Sequence, residues 1–404
     1  MSKLKRTQDL QKLIKKAKQG NAKKQFELGF MYDIGQGVKQ NYLKAFKWYK
    51  LAAELGVSRA QTNLGLMYIK GDGIKQDQIK AIKWLKRAAK KADIKAQYNL
   101  GLAYELGEGV KQNTTKAIKW YKRSAKKGYA DAQYNLALIY DFGKGMTKNY
   151  KDAFKWYQCA AEQGDAEAQY RLGLMCFDGE GVKKDLAQAI YWYVKAAKQG
   201  HGSAQYNLGV MYRDGKGVKR NYAKAIKYYK QAAAQLDAEA QLCLGFMYAY
   251  GLGAKKDYRA AIKWYKLSAQ QGNLMALTNL GIMYEYGQGF KKNLSKAVKY
   301  YKQAAKLGHP RAQFNLGTMY DNGTGIKQDL AKAFKWYQRA AKQKEIDAQY
   351  NLGVMYQEGE GTKQNYSKAI KWFRSAAHQG NTDAQSSLDE LCGKKCSIKK
   401  HRKN

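Results

Sequence analysis

The chain has 404 residues, a formal charge of +42 and a single proline against 39 glycines. Almost nothing punctuates it into separate globular domains, and one continuous architecture is expected. A hydrophobic share of 45% excludes disorder over most of the length, and apolar runs as short as Ala260 to Ile262 exclude any stretch of the roughly 20 apolar residues that would span a bilayer.

In chain order, residues 1–20 come first and read as an N-terminal half-repeat. Residues 9–19 match the second helix of the later units in phase, with Ala17 and Gly20 standing where Ala53 and Gly56 do. From there a Leu-Gly pair, or its near equivalent Leu136-Ala137, recurs from Leu28 to Leu352 at a constant spacing of 36 residues, with a last Leu at 388. We number positions within each unit from this Leu as 0.

Each unit opens with a helix A around the Leu. It is apolar on two arcs, Ala60, Leu64, Met67 and Tyr68 on one and Leu66 with the counterparts of Tyr98 on the other, so it is expected to lie between neighbours. Glycines at +7 and +9, such as Gly71 and Gly73, predict a helix stop and a tight turn. Asn or Asp at +13, from Asn41 to Asn365, predicts the N-cap of helix B. In that helix Phe46, Trp48, Tyr49, Ala45, Ala52 and Ala53 share one arc and Lys44, Lys47, Lys50 and Glu54 the other. A hairpin of this kind cannot cover its own apolar surface and must stack on the next, which predicts an all-α solenoid. The repeats are expected to occupy 21–391, ending in a partial eleventh unit, with 392–404 as a basic, disordered tail.

The string Ala-Gln-Tyr-Asn-Leu-Gly-Val-Met-Tyr at 204–212, followed by Gly215, Gly217, Asn221, Ala225, Tyr229 and Ala232, closely resembles the Sel1-like repeat, a relative of the tetratricopeptide repeat. The resemblance implies about ten right-handed, stacked helical hairpins and a non-enzymatic scaffold or adaptor that binds a protein or peptide. It further implies a concave surface built from helix A, at positions −2, +2, +5 and +6. Those positions offer Tyr98, Tyr134, Tyr170, Tyr206, Phe314 and Tyr350, with Leu66, Leu102 and Val210 beside them. Packing between repeats is the competing reading of this aromatic series. A second ladder at −1, including Asn99, Asn135, Asn207, Asn315 and Asn351, could hold an extended peptide backbone or bond one hairpin to the next. Acidic side chains at Asp33, Glu105, Asp141, Glu285 and Asp321 suggest a weakly acidic inner face.

The lysines of helix B raise the alternative of electrostatic binding to nucleic acid or an anionic surface. Only 12 of the 74 basic residues are Arg, and the helical wheel sets the aromatics opposite the lysines, which argues against specific recognition. Ser124 and Lys127 form a Ser-x-x-Lys pair, but Ser124 occupies the small-residue slot of Ala52. Four scattered His and the absence of Cys-x-x-Cys give no metal-ligand pattern, so neither enzyme activity nor a cofactor is expected. Five unevenly spaced Cys suit a reducing compartment, and residues 1–20 lack the apolar core of a secretory signal. A cytoplasmic protein is expected, or one delivered into a host cell by a non-Sec route.

Overall fold

The structure, a computed structural model, describes the backbone of residues 3–401 and the side chains of residues 8–391. The described residues form 22 α-helices and no strand. They fall into two compact units, 1–201 and 202–404. The first holds the helix Lys3–Lys18 and five helical hairpins, the second five hairpins and the helix Thr382–His401. In each unit successive helices pack on one another in chain order, giving the solenoid arrangement the 36-residue period predicts.

The local signals act as expected. All ten Asn or Asp side chains at +13 accept a hydrogen bond from a backbone N–H in the first turn of helix B, Asn41 from Lys44 and Asp77 from Lys80 among them. Gly71 ends the helix Ser58–Lys70 in the left-handed conformation (φ 81°), its N–H bonded to the Met67 carbonyl. Gly73 has φ 70°, and a Cβ there would lie 2.7 Å from the Leu43 backbone nitrogen of the preceding repeat. The second glycine therefore serves both the turn and the close approach of neighbouring hairpins.

The core is built from small helix surfaces and one large ring. Ala45, Ala52, Ala53, Ala60 and Leu64 are buried, as are most of their counterparts along both units, Ala269 and Ala377 being partly buried. The aromatic residue at +21 is completely covered: Tyr49, Tyr121, Tyr157, Tyr301, Tyr337 and Phe373 show no exposure. Each such ring contributes at most about 4 to 6 kcal/mol by buried area. The helix A residue at +1 must be small to admit it, since a Cβ on Gly101 would stand 2.5 Å from the Tyr121 ring. By contrast the tryptophans at +20, such as Trp84, Trp120 and Trp336, are only half-buried.

A buried glutamine ladder, which sequence reading passes over, ties the repeats together. Gln at −3 donates to the carbonyl at the end of the preceding helix B: Gln61 to Ala53 at 3.0 Å, Gln133 to Ala125 at 3.1 Å and Gln349 to Ala341 at 3.1 Å. Its own oxygen accepts from a second Gln at +27, as Gln163 to Gln133 at 2.7 Å and Gln343 to Gln313 at 2.9 Å. In the first three repeats the +27 residue is Leu55, Lys91 or Lys127, and there the Oε1 atoms of Gln25, Gln61 and Gln97 are buried without a partner.

The two ends extend the scheme. Ala17 of the helix Lys3–Lys18 is buried and its carbonyl accepts from Gln25 at 3.1 Å, as Ala53 accepts from Gln61. The other end runs into the segment 392–404 expected as a tail. The helix that begins at Thr382 continues to His401, while residues 402–404 lie outside the described residues. Lys395 and Ser397 occupy +7 and +9, where every full repeat has glycine, so no left-handed stop ends the helix.

Candidate functional site

Position −2 places Tyr98, Tyr134, Tyr170, Tyr206, Phe314 and Tyr350 half-buried on helix A. Each leans on the buried ring at +21 of its own repeat. Centroids lie 5.8 Å apart for Tyr98 and Tyr121, 5.8 Å for Tyr134 and Tyr157, 6.0 Å for Tyr170 and Tyr193, and 5.9 Å for Tyr206 and Tyr229. Phe314 with Tyr337 and Tyr350 with Phe373 repeat the pair at 5.8 Å. Tyr170 also stacks on His201 at 4.4 Å. One side of each ring is thus held by packing. Burial, then the Asp131 carboxylate, pushes the Tyr98 phenol up, and burial with Glu167 pushes Tyr134 up to about 12. Burial, then Cys243, takes Tyr206 up to about 12. These hydroxyls remain protonated donors at neutral pH.

The asparagines at −1 divide between partners. Asn135 Nδ2 donates to the hydroxyls of Tyr98 and Tyr121 in the preceding repeat at 3.4 and 3.5 Å. Asn315 and Asn351 lie within hydrogen-bonding reach of Tyr301 and Tyr337, again one repeat back. Asn99 Nδ2 bonds the Lys95 carbonyl of its own helix at 2.8 Å, and Asn207 is half-buried in the helix Gly202–Asp214. The ladder therefore bonds hairpin to hairpin at several steps.

The carboxylates at +5 have internal partners as well. Asp33, Glu105, Asp141, Glu285 and Asp321 each accept from the buried tyrosine at +21 of the same repeat, at 2.6 to 3.1 Å. At the preceding turn, Glu167 bonds His201 at 2.9 Å and Glu239 accepts from Asn273 at 2.7 Å. The sequence held a signal for the first set. Where +21 loses its hydroxyl, at Leu85 and Phe373, +5 is Ile69 and Gln357, although Phe177, Arg213 and Ala249 also stand at +5 where the tyrosine is kept, so the signal runs one way only.

Position +6 of helix A, one of those the resemblance assigns to the concave surface, exposes large apolar side chains. Leu106 is 55% exposed and Phe142 49% in the first unit, Tyr250 66% and Tyr286 68% in the second. Tyr250 lies against Phe246 at 4.4 Å between centroids.

Helix B corrects one expectation. The lysines do not stand apart from the aromatics: Lys44 lies 5.2 Å above the Tyr32 ring, Lys116 5.5 Å above Tyr104 and Lys368 5.1 Å above Tyr356. Arg87, Arg123 and Arg339 cover Trp84, Trp120 and Trp336 at 4.6 to 4.7 Å. Long cationic stems reach around the helix to rings that the wheel places elsewhere.

Among the described residues no group of three His, Cys, Asp or Glu could hold a metal ion, and no helix is long and apolar enough to cross a membrane. Cys159, Cys176 and Cys243 are free thiols.

A profile of the Sel1 repeat matches ten successive segments: 25–57, 58–93, 94–129, 130–165, 166–201, 202–235, 238–273, 274–309, 310–345 and 346–381. Among solved structures, the chain is similar to c5321, a protective antigen of uropathogenic Escherichia coli with an SLR fold. The two are 34% identical, with 96% of this chain and 84% of that one covered and a TM-score of 0.91. A Sel1 repeat protein from Oxalobacter formigenes is 33% identical, over 60% of this chain and 96% of that one, with a TM-score of 0.56. No protein among those with curated descriptions matches the sequence. Sel1 repeats in general mediate contacts between proteins and are not catalytic. The ten matched segments, each a hairpin with a capped helix B and a buried side chain at +21 that is aromatic in all but the second, place this chain in the Sel1-repeat family.

Proposed function

We propose that this protein is a non-enzymatic scaffold that binds a segment of a partner protein on the helix A face. Tyr98, Tyr134, Tyr170, Tyr206, Phe314 and Tyr350 form the contact series, and Asn99, Asn135, Asn207, Asn315 and Asn351 line its edge. The observation that carries this reading is the exposed apolar set at +6, Leu106, Phe142, Tyr250 and Tyr286, beside rings pre-set by the +21 aromatics. Rigid aromatic anchors lose little entropy on binding, which suits a recognition surface. The partner segment presents apolar side chains to the rings. Free thiols at all three described cysteines support a reducing, cytoplasmic setting.

The test is affinity capture by the full chain and by a Tyr134→Ala, Tyr170→Ala, Phe142→Ser variant, with and without nuclease, read by mass spectrometry. The variant must keep the helical circular dichroism and melting profile of the parent. Loss of a nuclease-resistant partner supports the assignment; retention of every partner overturns it.

The Lys and Arg side chains stacked on Tyr and Trp rings favour a second reading, electrostatic contact between helix B and a polyanion such as nucleic acid. Its mark is binding that falls steeply between about 50 and 200 mM salt.

A further inference from the structure

Position +4 of helix A is tyrosine in nine of the ten repeats and cysteine, Cys176, in the fifth. The surroundings of that ring recur. From the preceding repeat, Phe46 meets Tyr68 edge-on at 5.6 Å and Phe334 meets Tyr356 at 5.2 Å, both from position +18. Lys302, at +22 of its repeat, stands 5.8 Å over Tyr320, and Lys332, at +16 of the ring's own repeat, stands 5.6 Å over the same ring. Position +10 supplies Phe290, stacked on Tyr284 at 4.2 Å, and +20 supplies Tyr228, stacked on Tyr212 at 5.7 Å.

Around Cys176 these five positions are Phe154 and Gln158 of the fourth repeat and Val182, Gln188 and Trp192 of the fifth. Together with Cys176 and the charged turn Lys183, Lys184 and Asp185 they line a pocket of about 520 Å³ that opens to the surface. Five of the lining residues occupy positions that contact the +4 phenol ring in one or another of the other repeats. What differs is that the ring is absent and that glutamines replace both lysines found around Tyr320.

We propose that this cavity binds a small uncharged phenol, which fills the room left where cysteine replaces tyrosine. Phe154, Val182 and Trp192 provide the apolar and aromatic walls that a planar ring needs. Gln158 and Gln188 bring carboxamides, which pair with a hydroxyl as either donor or acceptor, to positions where ammonium groups elsewhere cover the ring. The volume lies within the range of about 300 to 1,000 Å³ common to small-molecule sites. Burial pushes the Cys176 thiol up to about 11, so it is a neutral wall atom and not a nucleophile.

The probe is p-cresol, the tyrosine side chain as a free molecule, titrated into the full chain by ligand-observed NMR and by Trp fluorescence. One saturable site is expected, with a dissociation constant of about 1 mM or tighter, given the ring's few heavy atoms. Cys176→Tyr is expected to weaken binding at least about tenfold and to raise the melting temperature, while Cys176→Ala keeps binding within about threefold. Absence of saturable binding to the parent chain, or undiminished binding to a folded Cys176→Tyr variant, overturns the proposal.

Discussion

The hydroxyl of Tyr121 donates to Oε2 of Glu105 at 2.8 Å, joining the buried ring of helix B to the edge of helix A within one hairpin. The same bond, 16 residues apart, links Tyr49 to Asp33, Tyr157 to Asp141, Tyr301 to Glu285 and Tyr337 to Asp321. A carboxylate acceptor makes it stronger than a bond between neutral groups. Tyr121→Phe is therefore expected to cost about 1 to 3 kcal/mol, and adding Glu105→Gln to cost less than the sum of the two single changes. Urea unfolding of the four proteins in this cycle checks the point, and strict additivity would refute the coupling.

These phenols also set a limit on alkaline stability. Burial first, then the facing carboxylate, holds the Tyr121, Tyr157 and Tyr301 hydroxyls far above their ordinary range. The unfolded chain releases these protons near pH 10 and the folded chain does not. Above that pH the unfolded state binds fewer protons, so stability is fully present below about pH 10 and falls as the pH rises beyond it. Absorbance at 295 nm should show a fraction of the tyrosines ionising only as the helices melt. Smooth titration of all tyrosines while circular dichroism stays constant would contradict this.

His309 gives the opposite dependence at acid pH. Its Nδ1 caps the helix Pro310–Asn322 through the Ala312 N–H at 3.3 Å, and burial lowers its pKa from the ordinary 6.5. The neutral ring is favoured in the fold, so the unfolded state binds the extra proton and stability declines as pH falls below about 6.5. His309→Asn keeps a cap without a titrating group. Its melting temperature should lose less than that of the parent between pH 7 and 5, and parallel losses would count against the assignment.

The incomplete glutamine ladder predicts a stabilising substitution. Leu55 is 59% exposed at the position where Gln163 and Gln343 reach back into the core, and the Gln25 oxygen beneath it has no partner. Leu55→Gln supplies the missing donor and should gain about 1 kcal/mol, read as a higher denaturation midpoint. The same change at an already paired site offers nothing, so an unchanged midpoint would show that the buried oxygen is satisfied by other means.

Overpacking tests the interior phase of helix B. Ala225 is fully buried between hairpins while Lys227, two residues on, is exposed. Ala225→Leu should destabilise by about 1 to 3 kcal/mol and Lys227→Leu by less than about 0.5. Equal melting temperatures would mean that the two side chains do not differ in environment.

The sequence by itself determined the hairpin and its period. Caps at +13, glycine stops at +7 and the alanine faces of helix B act over a few residues, so their chemistry can be read off one stretch of chain. Only the tertiary structure decided what each polar and aromatic side chain does. The Asn135 amide is committed to tyrosines of the repeat before it, the Glu105 carboxylate to a ring 16 residues on, and the Gln133 amide to a helix end in the preceding hairpin. The cavity at Cys176 was equally beyond local reading, because its walls come from two hairpins and its shape depends on a side chain that the repeat pattern calls for and this unit lacks. A periodic pattern specifies which faces meet. Which atoms pair across them depends on distances that exist only once neighbouring hairpins have stacked.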